Sequence, residues 1–88
     1  MFDSNKILRS ACRRKILKAL SKKIELSIMN LVRITNSTYN EVNRNLSILE
    51  REEVLIQYYL GHRRIIQLNL ENEKTAFLLK GIEFFDGL

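Results

Sequence analysis

The sequence predicts a mainly α-helical domain with a small β-hairpin, and its elements follow the order α-β-α-α-β-β-α. Over most of residues 3–52, apolar residues recur at three- and four-residue spacing, which is typical of amphipathic helices. Two runs rich in β-branched and aromatic residues, VLIQYYL and RIIQLNL, then lie on either side of Gly61 and His62, which predicts a hairpin. The final stretch, ENEKTAFLLKGIEFF, returns to helical spacing. We therefore expect an α+β domain dominated by helices.

Length and composition limit the class of protein. The chain has 88 residues, of which 45% are hydrophobic, so we expect one small folded domain over residues 1–88. No apolar run approaches the roughly 20 residues that span a bilayer, and residues 1–10 lack the apolar core of a secretion signal. We therefore expect a soluble, cytoplasmic protein with no membrane contact.

Cap residues divide the first part of the chain into short elements. Residues 3–20 are helical in pattern, but Ser10 can instead cap a second helix, ACRRKILKAL, after a short helix at NKIL. Ile24 and Leu26, on either side of Glu25, indicate a very short strand. One or two helices therefore precede this strand.

Two central helices are joined by a short turn. Ser27 is placed to cap the helix IMNLVRI, and Asn36 in the turn suits a left-handed conformation. Thr38 and Glu41 match an S/T-x-x-E capping box, so the next helix begins at Tyr39. Its inward residues are Val42, Leu46 and Leu49. Its outward residues carry amide, phenol, hydroxyl and guanidinium groups that suit a polar partner: Tyr39, Asn40, Asn43, Arg44 and Ser47.

The hairpin has an apolar face and a basic tip. The tip reads LGHRR. Alternation along the two strands leads us to expect one shared face made of Ile56, Tyr58, Leu60, Ile66, Leu68 and Leu70.

Positive charge is concentrated in one part of the chain. Residues 1–46 carry ten lysines and arginines against three acidic residues, a net charge of +7, whereas residues 47–88 have a net charge of −2. A polarised basic domain is what binding to a phosphate backbone requires. The alternative is a solvated basic surface, or one that pairs with an acidic partner.

Catalytic and metal-binding chemistry is not expected. The one cysteine, Cys12, has no disulfide partner, and the one histidine, His62, lies fifty residues away, so a zinc site is excluded. The sequence has no Ser/His/Asp or Cys/His set with workable spacing and no glycine-rich phosphate loop. We therefore expect no enzyme activity, no metal and no cofactor, with Cys12 packed in the core.

Three segments, RRKILKAL, IMNLVRITNSTYNEVNRNLSILEREEVL and YYLGHRRIIQLNL, resemble winged helix-turn-helix regulators of the arsenic-repressor (ArsR) and multiple-antibiotic-resistance (MarR) types. Small archaeal winged-helix proteins have similar patterns. The resemblance covers roughly residues 12–70 and includes VNRNLSILE in the recognition helix and GHR in the wing. The chain departs from the family at Glu53, where glycine is usual, and it lacks the paired cysteines of metal-sensing members.

The resemblance implies a helix-turn-helix at about residues 27–52, a wing at 54–70, and a C-terminal helix at about 72–85 for packing or dimerisation. It implies a dimeric transcriptional regulator that binds double-stranded DNA, with helix 39–52 in the major groove and wing residues 61–64 on the backbone or in the minor groove. Asparagine can read adenine, and arginine guanine, through paired hydrogen bonds. The nominated DNA contacts are Thr38, Tyr39, Asn40, Asn43, Arg44, Ser47, His62, Arg63 and Arg64. No small-molecule ligand is inferred.

The closing helix has more large apolar residues than one buried stripe requires, which indicates a partner surface. Paired with the first helix, it would form a two-fold dimer interface. The residues nominated for this interface are Ile7, Leu8, Phe77, Leu78, Phe84 and Phe85. The alternative is that both faces of the helix pack on the domain's own core. Gly81 either permits close approach of another helix or marks the end of this one.

A second function is compatible with the same pattern. Winged helices also serve as protein–protein modules in transcription or chromatin assemblies, and the fold alone does not decide between the two roles. For that function, Glu50, Glu52 and Glu53 near the base of the hairpin would form an acidic docking patch.

Overall fold

The computed structural model describes the backbone of residues 3–86 and the side chains of residues 3–84. Its elements are α1 (Ser4–Leu8), α2 (Ala11–Lys22), β1 (Glu25–Ser27), α3 (Ile28–Thr35), α4 (Tyr39–Arg51), β2 (Leu55–Leu60), β3 (Arg63–Leu68) and α5 (Glu73–Asp86). The predicted order of helices and strands is confirmed, and the opening helical stretch consists of two helices. The second begins where Ser10 Oγ accepts a hydrogen bond from Arg13 N at 3.2 Å.

The two central helices begin at the predicted residues, and each ends within one residue of its predicted end. Asn30 N donates to Ser27 Oγ, and Ser27 N donates to Asn30 Oδ1, each at 3.2 Å, so α3 has a reciprocal capping box. Asn36 ends α3 in the left-handed region, with φ 53° and ψ 39°. Glu41 N donates to Thr38 Oγ1 at 3.1 Å, which starts α4.

The three strands form an antiparallel sheet in the order β1-β3-β2. A two-residue turn at Gly61 and His62 joins β2 to β3, and Gly61 takes the positive φ of 61° that such turns require. The short strand β1 pairs with β3 through residues 25–27 and 65–67. The sheet therefore attaches the start of α3 directly to the hairpin.

The tight turn also decides which hairpin residues share a face, and the predicted apolar face is wrong. Leu60 pairs with Arg63, so each even-numbered residue of β2 lies opposite an odd-numbered residue of β3. Even-numbered residues of the two strands consequently lie on opposite faces. One face carries the buried residues Leu55, Ile66 and Leu68, and the opposite face carries Ile56, Tyr58, Leu60, Arg63, Ile65 and Gln67, of which only Ile65 is buried.

One hydrophobic core joins all five helices to the inner face of the hairpin. Removing each large apolar side chain from water contributes about 1.5–3 kcal/mol. The side chains with no more than 1% exposure include Ile16, Leu17, Leu20, Leu31, Val42, Leu46, Leu49, Val54, Ile66 and Leu78. Cys12 is also buried in this core, as predicted.

A single arginine joins α1, α2 and α4. Arg13 on α2 donates from Nε to the carbonyl of Ile7 at 2.8 Å and from Nη2 to the carbonyl of Lys6 at 3.1 Å. Its Nη1 donates to Oδ1 of Asn45 at 2.7 Å. Asn45 lies on α4, is buried, and donates from Nδ2 to the carbonyl of Glu41 at 2.9 Å. Burial lowers the pKa of Arg13, but an arginine remains charged at neutral pH.

The end of α4 uses a non-glycine residue in a left-handed conformation. The helix ends at Arg51, and Glu53 has a positive φ of 60°. That conformation costs a residue with a Cβ about 1–2 kcal/mol. The carbonyl of Glu53 accepts hydrogen bonds from the side-chain amides of Asn69 at 3.0 Å and Asn72 at 2.9 Å. These bonds hold the turn that leads into the hairpin, so the helix ends sharply without glycine.

We expect Glu53→Gly to raise the free energy of unfolding by about 1 kcal/mol, because glycine adopts positive φ without a steric clash. The carbonyl that bonds to Asn69 and Asn72 is retained in this variant. Urea denaturation measures the change. The matched control, Glu50→Gly, lies within α4 and should lower stability by about 1 kcal/mol. A lower stability for Glu53→Gly would contradict the steric argument.

We expect Asn45→Ala to lower the free energy of unfolding by about 1–3 kcal/mol, because Arg13 then loses the acceptor for one charge-assisted hydrogen bond in a half-buried position. Guanidinium denaturation measures the loss. Ser47→Ala is the control, since Ser47 is exposed on the same helix and should change stability by less than about 0.5 kcal/mol. If both variants lowered the free energy of unfolding equally, the bond from Arg13 to Asn45 would contribute no specific stabilisation.

Candidate nucleic-acid interface

The first turns of α4 present a polar surface. Tyr39, Asn40, Arg44 and Ser47 are exposed, and Asn43 is half-buried beside the hairpin. Helical periodicity explains this arrangement, since Val42, Leu46 and Leu49 are buried on the other side of α4. All five residues nominated on this face therefore lie on the outer side of α4.

The wing meets this surface through Arg64. The guanidinium donates from Nε to Oε1 of Gln57 at 2.8 Å and from Nη1 to Oδ1 of Asn43 at 2.6 Å. Nη1 also lies 3.5 Å from the hydroxyl oxygen of Tyr39. Arg64 therefore connects β2 and β3 to the first two turns of α4, and the wing and the helix form one continuous surface.

Of the basic residues at the hairpin tip, Arg64 differs from His62 and Arg63 in being bonded to α4. Successive residues of a strand alternate between its faces, so Arg63 lies on the opposite side of the hairpin from Arg64. Both Arg63 and His62 are exposed. Only Arg64, of the two arginines, is bonded to α4.

A groove of about 350 Å³ separates the start of α3 and the start of α4 from the wing. Its lining contains two tyrosines, two arginines and a histidine, and it contains no acidic residue. Guanidinium groups bind phosphate and aromatic rings stack on bases, so this lining suits a nucleic-acid strand. The lining residues are Ser27, Ile28, Met29, Tyr39, Tyr59, His62, Arg63 and Arg64.

Two nominated hydroxyl groups already have hydrogen bonds within α4. Thr38 Oγ1 accepts from Glu41 N, which leaves the hydroxyl proton of Thr38 available to donate. Ser47 Oγ donates to the carbonyl of Asn43 at 3.1 Å, so its proton is used within the helix. Thr38 is therefore suited to donate to a phosphate in this conformation, and Ser47 offers only an acceptor.

Much of the positive charge of residues 1–46 lies away from the exposed face of α4. Arg13 bonds to the last carbonyls of α1, and Arg14 Nη1 donates to the carbonyls of Leu8 at 2.5 Å and Arg9 at 3.1 Å. Four lysines line a second groove between α2 and α3: Lys15, Lys18, Lys22 and Lys23. Total charge therefore overstates the charge at the candidate interface.

Sequence reasoning missed two residues that adjoin the nominated ones, Gln57, which bonds to Arg64, and Tyr59, which lines the groove. Both share a hairpin face with Arg64, because Tyr59 pairs with Arg64 and Gln57 lies two residues further along the same strand. The two-residue turn sets the register of the hairpin, so the sequence alone could have predicted which residues share a face with Arg64.

The residues nominated for dimerisation divide into two groups. Ile7, Leu8 and Leu78 are buried in the chain's own core. Phe77 is 60% exposed and Phe84 is 70% exposed on α5. The side chain of Phe85 lies outside the described residues.

Gly81 lies within α5 and does not end it. A Cβ at this position would lie 2.6 Å from Cδ1 of Leu8. The glycine therefore permits the close approach of α1 to α5.

The described part of the chain has neither a cluster of metal ligands nor a helix that could span a membrane. Among these residues, no group of three histidine, cysteine or acidic side chains is placed to hold a metal ion. Within the same residues, every helix is too short or too polar to cross a bilayer.

No family model and no curated protein sequence matches the chain, whereas several solved structures do. The antimony-specific transcriptional repressor AntR has a TM-score of 0.75 at 18% identity, over 92% of this chain and 68% of AntR. The transcriptional repressor PagR of Bacillus anthracis has a TM-score of 0.71 at 23% identity, over 90% of this chain and 87% of PagR.

A MarR-family regulator from Silicibacter pomeroyi has a TM-score of 0.70 at 20% identity, over 93% of this chain but only 60% of that protein. All three neighbours are transcriptional regulators. At these identities the likeness establishes the fold. The chain has the winged helix-turn-helix fold found in transcriptional regulators of the MarR and ArsR types.

Proposed function

We propose that this protein is a transcriptional regulator that binds double-stranded DNA through α4 and the wing. The observation that carries the proposal is the contact between Arg64 and Asn43, which makes one surface from the wing and the first turns of α4. In a helix-turn-helix, the second helix enters the major groove with its N-terminal residues against base edges. The neighbouring wing then follows the backbone or enters the minor groove.

The exposed residues divide into base contacts and phosphate contacts. Asn40 and Arg44 are exposed near the start of α4, and Tyr39 and Asn43 lie beside them, so these four are the proposed base contacts. The backbone N–H groups at the start of α4 attract phosphate, and the Thr38 hydroxyl can donate to the same group. On the wing, the proposed phosphate contacts are His62, Arg63 and Arg64.

We infer that two copies of the protein pair through α5. Phe77 and Phe84 are seven residues apart, so they lie on one face of this helix, and both are largely exposed. Exposed aromatic residues at such spacing are suited to a protein interface. Because Ile7, Leu8 and Leu78 are already buried, the proposed interface depends on the two phenylalanines. A two-fold axis there would place two α4 helices on one side of a DNA duplex.

Two expected properties stay predictions. AntR is an antimony-specific repressor, and the expectation that this chain binds no small-molecule ligand stays a prediction. A cytoplasmic location in contact with the nucleoid follows only if the chain binds DNA.

A protein-binding module is the second candidate function. The groove between α2 and α3 favours it, because lysines surround an apolar floor that includes Leu26 and the 53% exposed Ile34. An acidic amphipathic segment would complement such a groove. The acidic patch predicted for this function is only partly available, since Glu52 pairs with Lys74 at 3.2 Å. Glu50 and Glu53 remain exposed.

We expect the protein to bind a random-sequence 30-base-pair duplex, with an affinity that falls about 10³- to 10⁵-fold between 50 and 200 mM salt if six to ten phosphates are contacted. Fluorescence anisotropy measures the affinity. Arg44→Ala should weaken binding to a selected operator by about 1–3 kcal/mol if Arg44 reads a base, and should relax specificity at that position.

The control for Arg44→Ala is Lys22→Ala, which removes the same charge from an exposed position at the end of α2, away from α4 and from α5. Equal weakening by Arg44→Ala on every sequence would make Arg44 a phosphate contact. An absence of binding at 50 mM salt would overturn the DNA-binding proposal and favour the protein-binding module.

We expect Phe77→Ser combined with Phe84→Ser to convert a dimer into a monomer, because the change removes the exposed apolar face of α5. Sedimentation equilibrium measures the mass of each form. Leu70→Ser, which alters a 70% exposed residue outside α5, is the control and should leave the dimer intact. A wild-type protein that is monomeric at tens of micromolar would contradict the dimer proposal.

A further inference from the structure

We infer that the groove between α2 and α3 binds an acidic amphipathic helix of a partner protein. The inference develops the second candidate function by naming the chemistry and the shape of the partner, and it holds whether or not α4 binds DNA. This groove and the groove beside the wing share no lining residue. A partner helix would therefore not compete with a duplex for the same side chains.

One wall of the α2–α3 groove is a row of lysines. Lys15, Lys18 and Lys22 follow each other at steps of three and four residues, so they lie within about 60° of each other around α2. Like charges at such spacing repel, which lowers the stability of the free chain. Lys23 adds a fourth positive charge just after α2, and none of the described residues that line the groove is acidic. Carboxylates from a partner would relieve this repulsion.

The rest of the groove is mainly apolar. Ala19 and Leu26 are half-buried and pack on the core, and Ile34 on α3 is 53% exposed. Together with the lysines, these side chains line a space of about 460 Å³. Burial of such apolar surface favours association with apolar side chains, whereas a DNA backbone offers phosphate and sugar groups. The combination of lysines and an apolar floor therefore suits a protein partner.

The spacing of the lysines matches a helix in the partner. Lys15 and Lys22 are about 10 Å apart along the axis of α2, which equals two helical turns. Acidic residues that repeat every three or four positions on a partner helix would each lie near a lysine, and leucine or phenylalanine beside them would contact Leu26 and Ile34. A small carboxylate would reach only one end of such a row. The partner segment is therefore an amphipathic helix with an acidic flank.

The test begins with selection from a displayed library of helical peptides of about 14 residues, whose outward positions are randomised, against the full chain. We expect the bound peptides to be enriched in aspartate and glutamate at three- and four-residue spacing, beside an apolar stripe. A synthetic peptide with the most enriched sequence is then the probe. Fluorescence anisotropy measures its affinity, and heteronuclear NMR identifies the backbone amides that shift when it binds.

Charge reversal tests the lysine row. Lys15→Glu combined with Lys22→Glu should weaken binding of the probe peptide at least about tenfold, because two attractive charge pairs become repulsive. The matched control is Lys6→Glu combined with Arg9→Glu, which changes the net charge by the same amount at exposed positions outside the groove. A difference between the two double variants therefore reports the groove and not the total charge.

A polar substitution tests the apolar part of the groove. Ile34→Ser should weaken binding of the probe peptide about 3- to 10-fold, because less apolar surface is buried. Met29→Ser is the matched control, since Met29 is 56% exposed on the same helix but lines the groove beside the wing. It should leave the affinity for the peptide unchanged. Circular dichroism and thermal unfolding establish that each variant is folded.

The outcomes separate this inference from both candidate functions. Acidic amphipathic peptides that bind the groove variants more weakly than the controls support the inference. Non-acidic peptides whose NMR shifts map to the groove would overturn it while a protein-binding module stands. A selection that enriches no peptide, or equal affinity for wild type and groove variants, also overturns it.

Duplex binding by the same proteins completes the test. We expect the two double variants to bind a random-sequence duplex equally. A greater loss in Lys15→Glu with Lys22→Glu would make the groove a phosphate-binding surface and overturn the inference. Acidic-peptide binding by a wild type that binds no duplex would support the inference and overturn only the DNA-binding proposal.

Discussion

The hydrogen bonds of Arg13 are the contact on which the arrangement of the helices depends. One guanidinium joins the last carbonyls of α1 to the amide of Asn45, which is buried on α4. A buried amide without a partner costs free energy, so this bond favours one rotation of α4 about its axis. Asn43 lies two residues earlier, about 200° around the helix, and therefore faces outward beside the wing. The hydrogen bond between Arg13 and Asn45 thus determines which residues of α4 face outward.

The outer side of α4 is held in the same chemical manner. Arg64 from β3 bonds to Asn43, as Arg13 from α2 bonds to Asn45. Rotation of α4 in either direction would break an arginine–asparagine hydrogen bond. An interface fixed before binding loses less conformational entropy when a partner arrives, which favours affinity and specificity. The long side chain of Arg44, by contrast, is exposed and can adjust to the partner.

Charge and apolar exposure are distributed over three separate surfaces. Arg64 and its neighbours lie between α4 and the wing, the lysines of α2 line a groove beside α3, and Phe77 and Phe84 lie on α5. Separate surfaces would allow the proposed DNA binding, the proposed self-association and contact with an acidic partner without competition for the same residues. A net charge of +5 therefore describes the whole chain and does not measure the strength of any one site.

The sequence by itself determined the elements and the starts of the central helices, because those features depend on residues within about four positions of each other. Ser27, Asn36 and Thr38 act through such local hydrogen bonds and dihedral angles. Tertiary structure decided the hairpin faces and the partners of Arg13 and Arg64, which are bonded to residues 32 and 21 positions away. An arginine has many possible acceptors along a chain, and only packing brings one of them within 3 Å.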